Sequence, residues 1–185
     1  MLKFKNNMGG FSIVETLVAI SILLLAVVGP MSVAEQGLSS ARYAADQITA
    51  YYLAQEAIEY VRNTRDENNL AEIDWLSGLD LCVGGNWCGI GLGLNGKTYE
   101  IRACGPIGVG DPCLLNINKG ANNQEGKYGY TPNAGWVPST YTRRVNVSLL
   151  NADEAVISVY ISWKSKTIDR QFTIRENILN WRKQN

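Results

Sequence analysis

The sequence predicts an α+β protein in which one long N-terminal α-helix, membrane-spanning and then amphipathic, packs on a C-terminal antiparallel β-sheet. Three observations carry that prediction. Thr16 to Ala34 is a run of 19 residues without a charged side chain. From Ala44 to Val61 apolar residues recur at helical spacing, and the last quarter of the chain alternates apolar and polar residues with a period of two.

The uncharged run, at ~1.5 Å rise per residue, spans roughly 29 Å, close to the ~30 Å hydrocarbon core of a bilayer. Before it stands a short leader with Lys3 and Lys5, ending in Gly9-Gly10. A single acid, Glu15, sits five residues after that glycine. A carboxylate at the head of a membrane helix costs on the order of a few kcal/mol if unpaired, and so usually has a task. Gly29-Pro30 predicts a bend or loosening, because proline removes a backbone donor and crowds the preceding turn.

The helical pattern continues beyond the span. Ala44, Ile48, Tyr51, Ala54, Ile58 and Val61 follow steps of three and four, and Arg42, Asp46, Glu56 and Glu59 take the other side. Asn63-Thr64-Arg65-Asp66 predicts the end of this amphipathic half, with Asp66 capping a short second helix through Trp75 and Leu76.

Residues 78–139 hold 14 of the 18 glycines and four of the five prolines, and so read as loops with short strands. Four cysteines, Cys82, Cys88, Cys104 and Cys113, fall here. The positive leader stays inside, which places this part outside the cytoplasm, where an even cysteine count predicts disulfides. Three connectivities exist, and the local one, Cys82 to Cys88 and Cys104 to Cys113, is favoured by the tight loops it closes. A zinc site is disfavoured: the chain has no histidine and no C-x-x-C pair.

Gly91 to Thr98 fits the phosphate-loop pattern G-x-x-x-x-G-K-[ST], but the residues after it alternate as a strand instead of opening a helix. Asn95-Gly96 reads instead as a hairpin turn between strands 90–94 and 97–103. Asn116-Ile117-Asn118-Lys119-Gly120, with Asn122 and Asn123, reads as a solvated loop that lacks the carboxylates of a calcium site. Asn146-Val147-Ser148 matches a glycosylation sequon but lies inside an expected strand.

The sheet is the clearest part. Arg143, Val145, Val147 and Leu149 share one face. After a turn at Asn151-Ala152-Asp153, Ala155, Ile157, Val159, Ile161 and Trp163 share the next. Lys164-Ser165-Lys166 then turns into Ile168, Phe172 and Ile174, giving three antiparallel strands with one apolar face for the helix to cover.

Three readings compete for residues 1–34. A cleaved secretory signal would end at Ser32-Val33-Ala34, but its apolar core would be long and would carry an acid. A plain signal anchor explains the span, though neither Glu15 nor Gly10-Phe11. The third reading is a resemblance. Basic leader, glycine, Phe11, Glu15 and uncharged span together resemble the type IV prepilin signal, and Thr16-Leu17-Val18-Ala19 is more similar to minor pilins and pseudopilins than to major pilins.

The resemblance implies a leader over 1–10, cleavage between Gly10 and Phe11, and methylation of the Phe11 amine. It further implies a transmembrane and filament-core helix over 11–34, an amphipathic half over 35–64, and an extracytoplasmic, pilin-like head over 65–185. Glu15 would be the assembly acid. The implied partners are a prepilin peptidase/N-methyltransferase, other pilin or pseudopilin subunits, inner-membrane assembly machinery and the lipid bilayer. The implied location is the bacterial inner membrane in a single pass, then a periplasmic or extracellular filament.

Three function classes follow. A structural filament subunit is the leading expectation. A binding module, displaying Trp87, Tyr128, Tyr130 and Trp136 on the disulfide-closed loops, is the second, although packing of those loops onto the sheet is the favoured role for the same aromatics. An enzyme is disfavoured, since no histidine, carboxylate pair or Ser-Lys dyad is marked by spacing, and no cofactor is implied. The charge balance of 17 basic against 17 acidic residues shows no basic block for nucleic acid.

Overall fold

In the computed structural model Ile13–Leu70, with Pro30 inside it, forms one 58-residue helix, α1. The structure describes residues 10, 12–93, 98–106, 110–120, 125–130, 134–165 and 167–181. The chain divides into two units, Met1–Ala45 and Asp46–Asn185, and α1 contributes to both.

In the first unit every described residue is exposed except the half-buried Ser39. This part of α1 is long and apolar enough to cross a membrane. The helix assignment continues through Gly29 and Pro30: one missing amide donor does not outweigh the intact turns on either side.

In the second unit α1 lies on the sheet through Ala50, Leu53, Ala54, Ala57, Ile58 and Val61. Ala54, Ile58 and Val61 of the expected face are among these, but its earlier part is corrected. Ile48 and Tyr51 are 56% and 51% exposed, because the small side chains of the neighbouring stripe allow the closer approach. A second correction concerns the helix end. The amphipathic half runs six residues past 64 to Leu70, and no second helix forms after Asp66. Asp66 instead stands inside α1, accepting from Arg65 Nε and Trp181 Nε1, both at 2.8 Å. The chain then turns at Glu72, whose φ is 62°, and the buried Asn68 donates to the Trp75 and Ser77 carbonyls to fasten the turn.

The sheet has seven strands: β1 Cys88–Leu92, β2 Tyr99–Ala103, β3 Leu114–Asn118, β4 Tyr128–Gly129, β5 Trp136–Asn151, β6 Glu154–Ser165 and β7 Ile168–Leu179. Their order is β2-β1-β4-β3-β5-β6-β7, with every pairing antiparallel except β1 with β4. Period-two alternation places Val145 and Val147 of β5, and Ala155 through Trp163 of β6, against α1. Leu149 departs from that pattern at 52% exposure, since the β5–β6 register shifts between Leu149 and Asn151. On β7, Phe172 and Ile174 are half-buried and Ile178 is buried.

β7 is also tied to the helix by polar contacts. Arg62 Nε donates to Glu176 Oε1 at 2.7 Å, and Arg65 Nη1 donates to the Leu179 carbonyl at 3.2 Å. Burial disfavours the Arg62 charge, but Glu176 and Glu59 outweigh it and raise its pKa.

Asn116 to Asn118 belongs to β3 instead of a solvated loop. Asn118 is 1% exposed and its Oδ1 accepts from the Gly120 amide, so its polar side chain is consumed locally. Asn122 and Asn123 lie outside the described residues. The hairpin reading agrees with β1 and β2, which pair from Cys88 with Ala103 to Leu92 with Tyr99. Its Asn95-Gly96 turn, with Lys97, lies outside the described residues. A strand, and not a helix, follows the phosphate-loop motif.

Candidate functional site

The chemistry expected of the N-terminal segment rests on Gly10, Phe11 and Glu15. Gly10 is exposed, with no heavy atom within 4 Å of where a Cβ would stand. Phe11 lies outside the described residues. Glu15 occupies the first turn of α1, where the positive end of the helix dipole favours a carboxylate. The nearby hydroxyls are already engaged: Thr16 Oγ1 donates to the Ile13 carbonyl and Ser21 Oγ to the Leu17 carbonyl, both at 2.8 Å. Such back-bonding satisfies a polar side chain within its own helix. Glu15 is thereby the one ionisable group on an apolar, exposed helix surface between Ile13 and Ala34.

In the head, Cys82 bonds Cys88 and Cys104 bonds Cys113, the local connectivity. Each closed loop is then fastened to β5 by one buried polar residue. Asn146 Nδ2 donates to the Asn86 carbonyl at 2.7 Å and the Cys82 carbonyl at 3.4 Å, holding the first loop. Ser148 Oγ donates to Asn146 Oδ1 at 2.6 Å. The sequon asparagine is therefore 7% exposed and fully engaged, which leaves it structural. The second loop is held by Arg144, which donates to the Gly105 carbonyl at 2.9 Å and to Asp111 Oδ2 at 2.6 Å. Asp111 Oδ1 in turn accepts from the Cys113 amide.

The buried centre of the head is Arg143. Its alternation with Val145 and Val147 puts it on the core face, where it is 0% exposed. Nη1 donates to the Leu53 carbonyl and to Glu56 Oε2, both at 2.7 Å, and Nη2 donates to the Ile90 carbonyl. One guanidinium thus joins α1, β1 and β5. Tyr99 of β2 adds a phenol that donates to Glu56 Oε1 at 2.5 Å. Burial, reinforced by the Glu56 carboxylate, pushes that phenol up to about 12. Sequence reasoning missed this network, because its members lie up to 90 residues apart.

The four aromatics singled out for display separate into two groups. Tyr130 is 3% exposed beneath the Arg102 guanidinium, and Tyr128 packs edge-on against Tyr141. Burial raises the pKa of both phenols. These two are packing residues. Trp136 is half-buried. Trp87 is 38% exposed, with its ring edge-to-face against Tyr160 at 6.5 Å.

Among the described residues no group of three His, Cys, Asp or Glu side chains is placed to hold a metal ion. Arranged this way, the head offers rigid loops and a polar outer sheet face, and the N-terminal segment offers a single charge on an apolar helix. No protein-family model, curated protein or solved structure matches the chain.

Proposed function

We propose that this protein is a structural subunit, of minor pilin or pseudopilin type, of a type IV pilus-like or type II secretion-like filament. The observation that carries the reading is the lone Glu15 in the first turn of a helix whose next 30 residues stay almost wholly exposed. A helix so apolar needs a bilayer first, or the helices of neighbouring subunits afterwards. In this reading a prepilin peptidase cuts after Gly10 and methylates Phe11, and the head is carried outside the inner membrane. Glu15 then pairs with the Phe11 amine of a neighbouring subunit, neutralising two charges that are costly apart and setting axial register. The role is physical and requires no catalytic group.

Mass and N-terminal sequence of the mature protein test the processing step. The expected start is methylated Phe11; a start at Met1 or Glu35 overturns it. Glu15→Val tests assembly: the variant is expected to insert into the membrane and fail to enter filaments, and normal incorporation refutes the pairing. A second reading, a tip-located or signal-anchored binding module, draws on the exposure of Trp87 beside a rigid disulfide loop.

A further inference from the structure

The face of the sheet turned away from α1 carries a shallow hollow of about 420 Å³ between the Cys82–Cys88 loop and β7. Strand register defines its floor. Asn146 of β5, Ser158 of β6 and Arg175 of β7 lie in one row, and Tyr160 and Thr173 pair in the next. Trp87 stands at one side, its ring against Tyr160, and Arg175 at the other. Two strand spacings separate the Asn146 and Arg175 ends, about 10 Å, roughly the length of a disaccharide.

Three features point to a ligand. Trp87 adjoins the Cys82–Cys88 disulfide, in a loop pinned by Asn146, so its indole is held in place before anything binds. Preorganised aromatic surface of this kind carries little entropic cost on binding. The floor offers the hydroxyls of Ser158 and Thr173, groups that both donate and accept, beside Ser148, whose hydroxyl already donates to Asn146. Arg175 is exposed and enters none of the ion pairs among the described residues, whereas Arg65, Arg102, Arg143 and Arg144 each enter one and Arg62 enters two.

We propose that this hollow binds an acidic saccharide, with a pyranose ring against Trp87 and a uronate-type carboxylate on Arg175. A ring of axial C–H groups matches an indole face, alternating hydroxyls match Ser158 and Thr173, and the single guanidinium matches one carboxylate per sugar pair. A nucleic-acid strand fits less well. It brings a phosphate at every nucleotide, and the hollow supplies one cation within a unit that carries 14 basic against 15 acidic residues from Asp46 onward.

The test uses the full-length protein in detergent micelles, titrated with a hexuronate tetrasaccharide, a neutral glucose tetrasaccharide and a single-stranded oligonucleotide, with binding read by saturation-transfer NMR and calorimetry. Binding of the acidic sugar in preference to the other two is expected. Trp87→Ala should abolish it. Arg175→Gln lies on an exposed strand position, and should weaken acidic-sugar binding about tenfold while leaving the melting temperature unchanged. Thr173→Glu should weaken the acidic sugar and spare any residual binding of the neutral one. No binding of the acidic sugar by the wild-type chain, equal affinity in Arg175→Gln, or tighter binding of the oligonucleotide each overturns the proposal.

Discussion

Replacing Glu56 with alanine removes the only carboxylate within reach of a guanidinium that is fully buried among the described residues. At an effective dielectric constant of ~20, opposite charges ~4 Å apart attract by about 4 kcal/mol. Breaking a buried pair from one side costs roughly 3–5 kcal/mol, since the partner is left charged and dry. Glu56 is itself 31% exposed, so water screens part of the attraction and the lower end applies, about 3 kcal/mol. For a unit of this size that corresponds to a fall in melting temperature of roughly 6–12 °C. Near-ultraviolet circular dichroism of the full-length protein in detergent, followed through thermal and urea unfolding, reads the change. Arg143→Met removes the buried charge itself, and the Glu56→Ala, Arg143→Met double variant should lose less than the sum of the single losses by at least about 1 kcal/mol. A Glu56→Ala protein that melts within about 2 °C of wild type, or strict additivity in the cycle, refutes the assignment of this pair as the clamp between helix and sheet.

Asp66 is held below its ordinary value of 3.8 by hydrogen bonds from the Trp181 indole and Arg65. Its stabilising contribution is therefore present above that value and lost as pH falls through the lower folded pKa, and Trp181→Phe should move the Asp66 carboxyl NMR titration upward. Replacing both Cys82 and Cys88 with alanine frees a short loop, and the chain-entropy estimate gives a loss of about 2 kcal/mol in urea unfolding, with Trp87 fluorescence shifting as its loop loosens. Gly129→Ala places a Cβ 2.7 Å from both the Leu92 Cβ and the Leu92 carbonyl oxygen. Backbone cannot yield there as a flexible side chain would, so a loss of about 1–3 kcal/mol is expected, checked by thermal melting.

The elements legible in the sequence are those whose signal is local. The uncharged run, the alternation of β5, β6 and β7, and the closing of cysteine pairs six and nine residues apart each occupy a short window. Elements decided at long range were not legible. Two apolar stripes run along the second half of α1, and only the sheet selects Ala50, Leu53 and Ala57 over the bulkier Ile48 and Tyr51. The helix outlasts its expected end because Arg65 and Asp66 find partners in Leu179 and Trp181, more than 110 residues later. β3 and β4 are short and rich in asparagine and glycine, so their strand character comes from pairing with β1 and β5 and not from propensity. The proposed N-terminal signal is a different case. Its reading rests on what other molecules would do to Gly10, Phe11 and Glu15, and the fold of one chain does not carry that.

The bonds from Arg62 to Glu176 and from Trp181 to Asp66 join the end of α1 to the last strand and the residues just after it, across more than 110 residues. A ribosome adding about 5–20 residues per second needs roughly 6–23 s to cover that interval. Throughout it, the Ala50–Val61 stripe has no complete sheet to cover it. The head is consequently a late, all-at-once folder whose helix is made first and buried last. The growing chain therefore needs shelter for that stripe, and substitutions in β7 should reduce yield through aggregation before they reduce the stability of molecules already folded.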